Sequence, residues 1–538
     1  MTPLIWLLAS ANASPSMDSI YLVMVDRFAN GRTDNDVEID ITDTQAFHGG
    51  DLSGITANID YIEALGVDTV WLTPITKMRT APINEHGAFH GYWLENGRKV
   101  EPRFGSLAEL KALREALRVR GIKLILDVVL NHVGPDTPLV SMQPDWFHAK
   151  GDITDWSDVT QLQTHDVHGL PDLNQTLPSV TQHLTRDGQH WLKQVSPAGF
   201  RIDAVRHLDP VFLKTWTDQL SKNAAEPLIF AGEIFDGNPV NIANTVKKSG
   251  LTHSFDFPLH YAIIESMCAG GDLRKIATVL TQDRRFAPDH QHITFLDNHD
   301  TARMTTACGE QTRPALTLLT SLRGIPAITW GSGAALEGAT ASEARADMIF
   351  EPTPLREWIV DRLDDRRSYT PLISGQTDVL LASESRLVVA RVLRDEAIVI
   401  SVGESPAKPV LPAEAGAVHW IPIAGEHVRR WLITPKDASG FQAWVEKLTT
   451  DEAQTIDITI EAGSADYISG SDPVLGAWSE SAALGPGSQT VALPVGGHVA
   501  VKTFQRAEDG TVTWSSESDH FIDVDASATT GDPIKLGR

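Results

Sequence analysis

The chain has 538 residues, which at roughly 150 residues per domain divides into three or four units. Asp and Glu number 70 against 45 Lys and Arg, a formal net charge of −25. That balance excludes nucleic acid and anionic membranes as partners, because both recruit clustered Lys and Arg; it leaves neutral or cationic ones. The chain opens on Leu4-Ile5-Trp6-Leu7-Leu8-Ala9-Ser10-Ala11-Asn12-Ala13, a short apolar run ending in a small-x-small pattern. Residues 1–13 read as a signal peptide, although no Lys or Arg precedes the run, so secretion is expected. No later run reaches the roughly 18 apolar residues of a membrane helix.

From residue 14 to about 375, apolar β-branched runs alternate with helical patterns. Val67 to Leu72, Ile122 to Val129, Phe200 to Ala204, Leu228 to Glu233 and Ile293 to Leu296 are continuous apolar strands. Such strands between helices mean a parallel sheet covered on both faces. At this length a closed α/β barrel of eight strands is expected over 14–132 and 198–375. Residues 133–197 are rich in Asp, His, Gln and Pro and read as a small domain inserted after the third strand. From 376 to 452 short apolar strands suggest a β-sandwich, and a second β-rich unit fills 453–538. Cys268 and Cys308 lack metal-like spacing and read as buried free thiols, a disulfide being the alternative. Trp numbers 14 against 6 Tyr. Flat Trp faces suit sugar rings, although core packing is the plainer account of most of them.

The active site of a parallel barrel lies at the C-terminal strand ends. Four expected strands close there on polar residues: Asp127 to His132, Arg201 to His207, Glu233 to Gly237 and Asp297 to Asp300. Asp203, Glu233 and Asp300 would converge on one pocket. Crowded carboxylates push at least one pKa upward and supply an acid at neutral pH. A carboxylate nucleophile beside a carboxylic acid is what glycosidic cleavage requires. Arg201, two residues before Asp203 on a strand, shares its face and can hold it ionised.

These four blocks resemble the motifs of the alpha-amylase family of retaining glycoside hydrolases, in the family's order, over about residues 18–375. The resemblance implies that Asp203 is the nucleophile, Glu233 the general acid/base, and Asp300 the carboxylate that favours the distorted sugar ring. It places Arg201, His132 and His299 around the reacting glucose, and Arg206 and His207 on the leaving-group side. Ala88 to Trp93 resembles a further family segment, which implies that Tyr92 stacks on the sugar and His90 bonds to it. The resemblance also implies Ca²⁺. One ion would be held by Asn131, Asp172 and the main-chain oxygen of His207; the alternative is a metal-free Asn/Asp bridge. A second would be held by Asn30, Asn35, Asp36, Gly49 and Asp51. Arg32 departs from the pattern of that loop, since a guanidinium repels a cation and can supply a salt bridge in its place. Gly331-Ser332-Gly333 stands where relatives carry an acidic residue, which puts the outer subsites in question. In the last unit, Gly470 to Trp478, Lys502 and Gly510 to Trp514 resemble the starch-binding domain of glucanotransferases and glucoamylases, with Trp478 and Trp514 as the stacking platform and Lys502 beside them. The expected protein is therefore a monomeric, calcium-dependent alpha-amylase that hydrolyses internal α-1,4 bonds in starch-like glucans. A glucanotransferase and a non-catalytic glucan-binding protein are the rival readings.

Overall fold

The computed structural model describes residues 17–83, 85–403, 408–423, 428–451, 454–507, 509–524 and 534–536. The expected signal peptide lies outside them. Eight parallel strands close into a barrel in which each strand pairs with its neighbours in sequence. They are β1 (Ile20–Val23), β2 (Thr69–Leu72), β3 (Lys123–Val128), β4 (Gly199–Ile202), β5 (Ile229–Gly232), β6 (His253–Phe255), β7 (Gln291–Thr294) and β8 (Ile325–Thr329). Every residue of β1, β2, β4, β5 and β8 is buried. One face of each strand packs inside the barrel and the other meets a helix, so the sequence runs apolar without alternating. The helix Leu107–Val119 shows how the outer ring is specified. Ser106 and Glu109 form a capping box at its start, and Leu110, Leu113 and Leu117 bury one stripe.

Within 133–197, residues through 177 form short helices and turns. Pro178–Gln194 is then a 17-residue helix whose Gly188 sits against Trp216 and Leu220 of the helix Pro210–Asn223. The stretch folds back on the barrel at one seam. Leu173 N donates to Asn131 O at 2.8 Å and Val133 N to Pro171 O at 3.2 Å, just past the end of β3.

The unit after the barrel differs from the expected sandwich. Among the described residues it is one antiparallel sheet of β9 (Gln376–Ser383), β10 (Arg386–Val392), β11 (Ala397–Gly403), β12 (Val418–Ile423) and β13 (Arg429–Pro435), ordered β9-β10-β11-β13-β12. Its two faces are covered by other elements, so no second sheet is required. Leu387, Val389, Ile398 and Ile400 join the barrel's core. Val388, Ala390 and Val399 pack with Phe441 and with Trp444 of the helix Gln442–Asp451.

The last unit has two sheets over a separate core. One holds β14 (Thr455–Glu461), β16 (Gln489–Pro494) and β20 (Ile534–Lys535); the other holds β15 (Tyr467–Gly470), β17 (His498–Arg506), β18 (Val512–Trp514) and β19 (His520–Asp523). Ile460, Ile468, Leu475, Leu493, Val499 and Val501 fill the space between. The unit is fastened directly to the barrel. Arg285 pairs with Asp472 at 2.5 Å, Arg274 lies over the Phe521 ring at 4.4 Å, and Asn238 Nδ2 donates to Ala477 O at 2.6 Å.

Cys268 and Cys308 form a disulfide, which corrects the free-thiol expectation. The cysteines end two short helices, Ile264–Cys268 and Met304–Cys308, and these pack together although 40 residues separate the thiols. No helix among the described residues is long and apolar enough to cross a membrane.

Candidate active site

The C-terminal ends of β4, β5 and β7 bring Asp203, Glu233 and Asp300 together as the sequence implies. Arg201, 1% exposed and the penultimate residue of β4, is the centre of the constellation. Its Nη1 donates to Asp203 Oδ1 at 2.7 Å and to Asp127 Oδ1 at 3.0 Å, and its Nη2 lies 2.5 Å from Glu233 Oε1. The predicted pairing of Arg201 with Asp203 is thus present, and the same guanidinium also touches Glu233. Charge-assisted contacts to three carboxylates hold the guanidinium in one orientation. Ala204 follows Asp203 with φ +52°, a left-handed conformation disfavoured for alanine, and its N–H donates to Glu233 Oε2 at 3.2 Å. Backbone strain of this kind concentrates at functional sites.

The electrostatics separate the carboxylates. Burial pushes Glu233 up to about 8; Asp203 and Asp300 push the same way, and Arg201 opposes them. For Asp300, burial alone would raise the value, but His299, Arg345 and Arg201 outweigh it and hold the carboxyl at about 2. Glu233 is therefore protonated at neutral pH while Asp300 is charged. Burial also raises Asp127 to about 7. Its Oδ2 accepts hydrogen bonds from Trp71 Nε1 at 3.1 Å and from the Tyr92 hydroxyl at 2.9 Å.

The other residues predicted around the sugar are linked to this constellation by ring and hydrogen-bond contacts. The Tyr92 and His299 rings stack at 5.3 Å and 6°, with the Tyr92 hydroxyl 2.7 Å from His299 Nε2. His90 stacks near Tyr92 at 5.6 Å. His132 Nε2 lies 3.2 Å from Tyr92 O, and the buried Nδ1 atoms of His132 and His299 have no protein partner. Arg206 Nη1 donates to Phe235 O at 2.9 Å, and His207 Nδ1 lies 2.9 Å from Leu162 O.

Several side chains at the site were passed over in the sequence. Arg345 Nη2 donates to Asp300 Oδ1 at 2.7 Å and its Nε to His299 O at 2.9 Å. It comes from the long segment after β8, where no apolar run or spacing marks it. Trp156, of the inserted stretch, meets the His207 ring edge-on at 5.9 Å. Phe235, two residues after Glu233, is 43% exposed. An aromatic so close to a catalytic candidate was a readable signal.

Comparison with known proteins agrees with this geometry. The profile described as alpha amylase, catalytic domain, matches residues 22–353, more than half of the chain. The chain belongs to the alpha-amylase family. It is an enzyme of that family's glycoside chemistry, acting on glucans. A cyclomaltodextrin glucanotransferase of Klebsiella oxytoca is 26% identical over 615 aligned residues, covering 95% of this chain and 93% of that protein. A beta/alpha-amylase of Paenibacillus polymyxa is 30% identical over 365 residues, which are 63% of this chain but only 29% of that protein. The crystal structure of an alpha-amylase from Geobacillus thermoleovorans, complexed with acarbose, superposes with a TM-score of 0.67 at 28% identity, covering 78% of this chain and 99% of that one.

The two predicted cation sets differ in chemistry. Asn131 and Asp172 are fully buried at the seam with the inserted stretch. Asn131 Oδ1 and Asp172 Oδ1 have no hydrogen-bond partner. His148 Nδ1 takes the other Asp172 oxygen at 2.5 Å. Two buried oxygens suit a hard cation, while the buried, unpartnered Asn131 Nδ2 beside Asp172 suits the metal-free bridge. In the N-terminal loop the Asp36 and Asp51 carboxylates already accept protein donors, while the buried Asn35 Oδ1 has no hydrogen-bond partner. Asn30 Nδ2 donates to both Asp36 oxygens at 3.0 and 2.9 Å. Asp51 Oδ1 accepts from Gly31 N and Gly54 N, and its Oδ2 from Arg32 N and Asn35 Nδ2. Gly49 lies against Asn30 and Asp36, where a Cβ would come within 2.6 Å of Asn30 Nδ2. The Arg32 guanidinium pairs with Asp34 and Glu109, both at 2.5 Å. The two carboxylates of this loop are held by its own donors, and the Arg32 guanidinium adds positive charge beside them. Among the described residues no cluster of three or more His, Cys, Asp or Glu could hold a metal.

In the last unit Trp478 and Trp514 are half-buried, their ring centroids 6.4 Å apart and tilted by 56°. Trp514 Nε1 donates to Glu480 Oε1 at 2.9 Å, and Lys502 lies 3.6 Å from Asp519.

Proposed function

We propose that the protein hydrolyses internal α-1,4-glucosidic bonds in starch-like glucans with retention of configuration. The observation that carries this reading is one guanidinium, Arg201, contacting both Asp203 and Glu233 while Glu233 is raised to about 8 and Asp300 held at about 2. Asp203 attacks the anomeric carbon as Glu233 protonates the departing glycosidic oxygen. Glu233, now charged, then takes a proton from water, whose oxygen displaces Asp203 and releases the sugar. Asp300 stays ionised and binds hydroxyls of the distorted ring, with His132, His299, His90 and Tyr92 around it. Glu233→Gln should lower turnover on soluble starch by about 10³-fold or more. Near wild-type turnover in that variant sinks the assignment.

A second reading, transfer of the glycosyl unit to another sugar, is supported by the Klebsiella glucanotransferase that aligns with 95% of the chain. The exposed aromatics Trp156 and Phe235 beside Arg206 and His207 favour the same reading, because they offer stacking faces to a sugar acceptor. Short linear products from soluble starch select hydrolysis; cyclic or disproportionated products select transfer. One Ca²⁺ would be held by Asn131, Asp172 and the His207 main-chain oxygen, where its chemistry is to brace the inserted stretch against the barrel. Trp478, Trp514 and Lys502 are the proposed starch-binding surface of the last unit. The Cys268–Cys308 disulfide supports an exported protein, since disulfides persist in oxidising compartments.

A further inference from the structure

We infer that Arg27, Arg303 and Trp330 are positioning residues for the reaction: they capture three successive carbonyls, of Ala344, Arg345 and Ala346, and so aim the Arg345 side chain at Asp300. The inference rests on the proposed glycosidic cleavage, in which Asp300 steadies the distorted sugar ring.

Arg345 stands just past the short helix Ala341–Ala344, and residues 346–350 form neither helix nor strand. No ladder satisfies the carbonyls of this turn, so other donors must. Buried side chains supply them. Arg303 Nε donates to Ala344 O at 2.8 Å, Arg27 Nε to Arg345 O at 2.9 Å, and Trp330 Nε1 to Ala346 O at 3.0 Å. Met348 N closes the turn on Arg27 O at 2.7 Å. Arg345 then reaches from this cradle to Asp300 Oδ1 and His299 O. A long, rotamer-rich side chain holds one geometry only where its backbone is fixed.

The three donors tie the turn to separate parts of the barrel. Arg27 belongs to the helix Val25–Phe28 that follows β1. Trp330 is the residue after β8, and its N–H donates to Leu22 O of β1 at 2.9 Å. Arg303 lies three positions after Asp300 on the same loop, donates also to Trp330 O at 2.6 Å and covers the Trp330 ring at 4.6 Å. It therefore joins the loop that carries Asp300 to the turn that carries Arg345. Arg27 and Arg303 are 1% and 0% exposed. Arg303 makes no ion pair with any described carboxylate, and burying a guanidinium that way is costly, which sets it apart from ordinary core packing. None of the three bonds to Asp203, Glu233 or Asp300, so they act through Arg345.

The test measures kcat and KM on soluble starch, per folded enzyme, for Arg27→Lys, Arg303→Lys and Trp330→Phe, each in the wild-type background and combined with Arg345→Met. Lysine keeps the charge and loses the planar fork, and phenylalanine keeps a ring and loses the N–H, so an effect of either is one of placement rather than of charge. Each single variant is expected to lower kcat about tenfold with KM within about twofold, because the misplaced contact serves the transition state. In the Arg345→Met background the same substitutions should lower kcat by less than about twofold, since the group they aim is gone. Where a lysine variant yields no folded protein, Trp330→Phe decides alone. A kcat that falls by the same factor in both backgrounds, or does not fall in the wild-type background, overturns the inference. A wild-type enzyme that releases no sugar from starch defeats the proposed function instead, and the two failures are thereby told apart.

Discussion

Arg345 is the residue whose role is least visible in sequence and most open to test. It lies 45 positions from Asp300 yet bonds to it at 2.7 Å, and it steadies the neighbouring carbonyl of His299. Burial works against an ionised Asp300, and the value of about 2 depends on His299 first, then on Arg345 and Arg201. A depressed carboxyl is charged above its pKa and loses that charge as pH falls through it. Removing Arg345 raises the pKa, so Arg345→Met should move the acid limb of the kcat/KM profile upward by about one pH unit. The alkaline limb belongs to Glu233, which must be protonated to act and loses its proton as pH rises through about 8. Asp300 is fully ionised near pH 8 with or without Arg345, so that limb should hold still. A profile that merely scales down, with both limbs in place, would show that Arg345 only packs. Arg201 could be read from its i, i+2 spacing to Asp203, because strand geometry makes such neighbours share a face. No periodicity links Arg345 to Asp300, or His148 to Asp172, because those contacts are made by loops that tertiary packing brings together.

Among elements, the seam between the end of β3 and the inserted stretch carries the metal prediction. The backbone bond from Leu173 to Asn131 closes the seam, yet Asn131 Oδ1 and Asp172 Oδ1 stay buried without donors. Unsatisfied buried oxygens cost free energy, and a bound cation removes that cost. A ligand present at about 1,000 times its Kd adds about 4 kcal/mol to stability. Chelation should therefore lower Tm by several degrees, and calcium should restore it. Asn131→Ala/Asp172→Ala should melt lower at the outset and ignore chelator. Wild-type melting unmoved by chelation would refute the ion, and the metal-free bridge would stand. The barrel strands were legible because burial on both faces leaves a continuous apolar signature. The single five-stranded sheet was not. Val388 and Val389 point to opposite faces, one toward Trp444 and the other toward the barrel, and a sequence shows that both faces are buried but not what covers them. The disulfide escaped for a similar reason, since its two helices meet only through the packing of separate barrel loops.

At the scale of the molecule, the cores predict how the chain melts. The five-stranded sheet shares one apolar core with the barrel through Leu387, Val389, Ile398, Ile400 and Val402, so neither part can lose its packing alone. The last unit closes its own core around Ile460, Leu493 and Val501 and touches the barrel through polar and single-ring contacts such as Arg285–Asp472 and Asn238–Ala477. Interfaces of that kind leave domains thermodynamically separable. Calorimetry of the full chain should accordingly resolve two transitions. The smaller, from the unit that starts near residue 454, should carry about 60 kcal/mol, and the barrel with its sheet about 300 kcal/mol, at roughly 0.7 kcal/mol per residue. Arg285→Glu should lower only the smaller transition, because its partner Asp472 belongs to that unit, while Trp444→Ala should lower the larger one, because Trp444 packs the outer face of the shared sheet. A single cooperative transition in the wild type, lowered as a whole by either substitution, would mean that the polar docking couples the last unit to the barrel as strongly as a common core does.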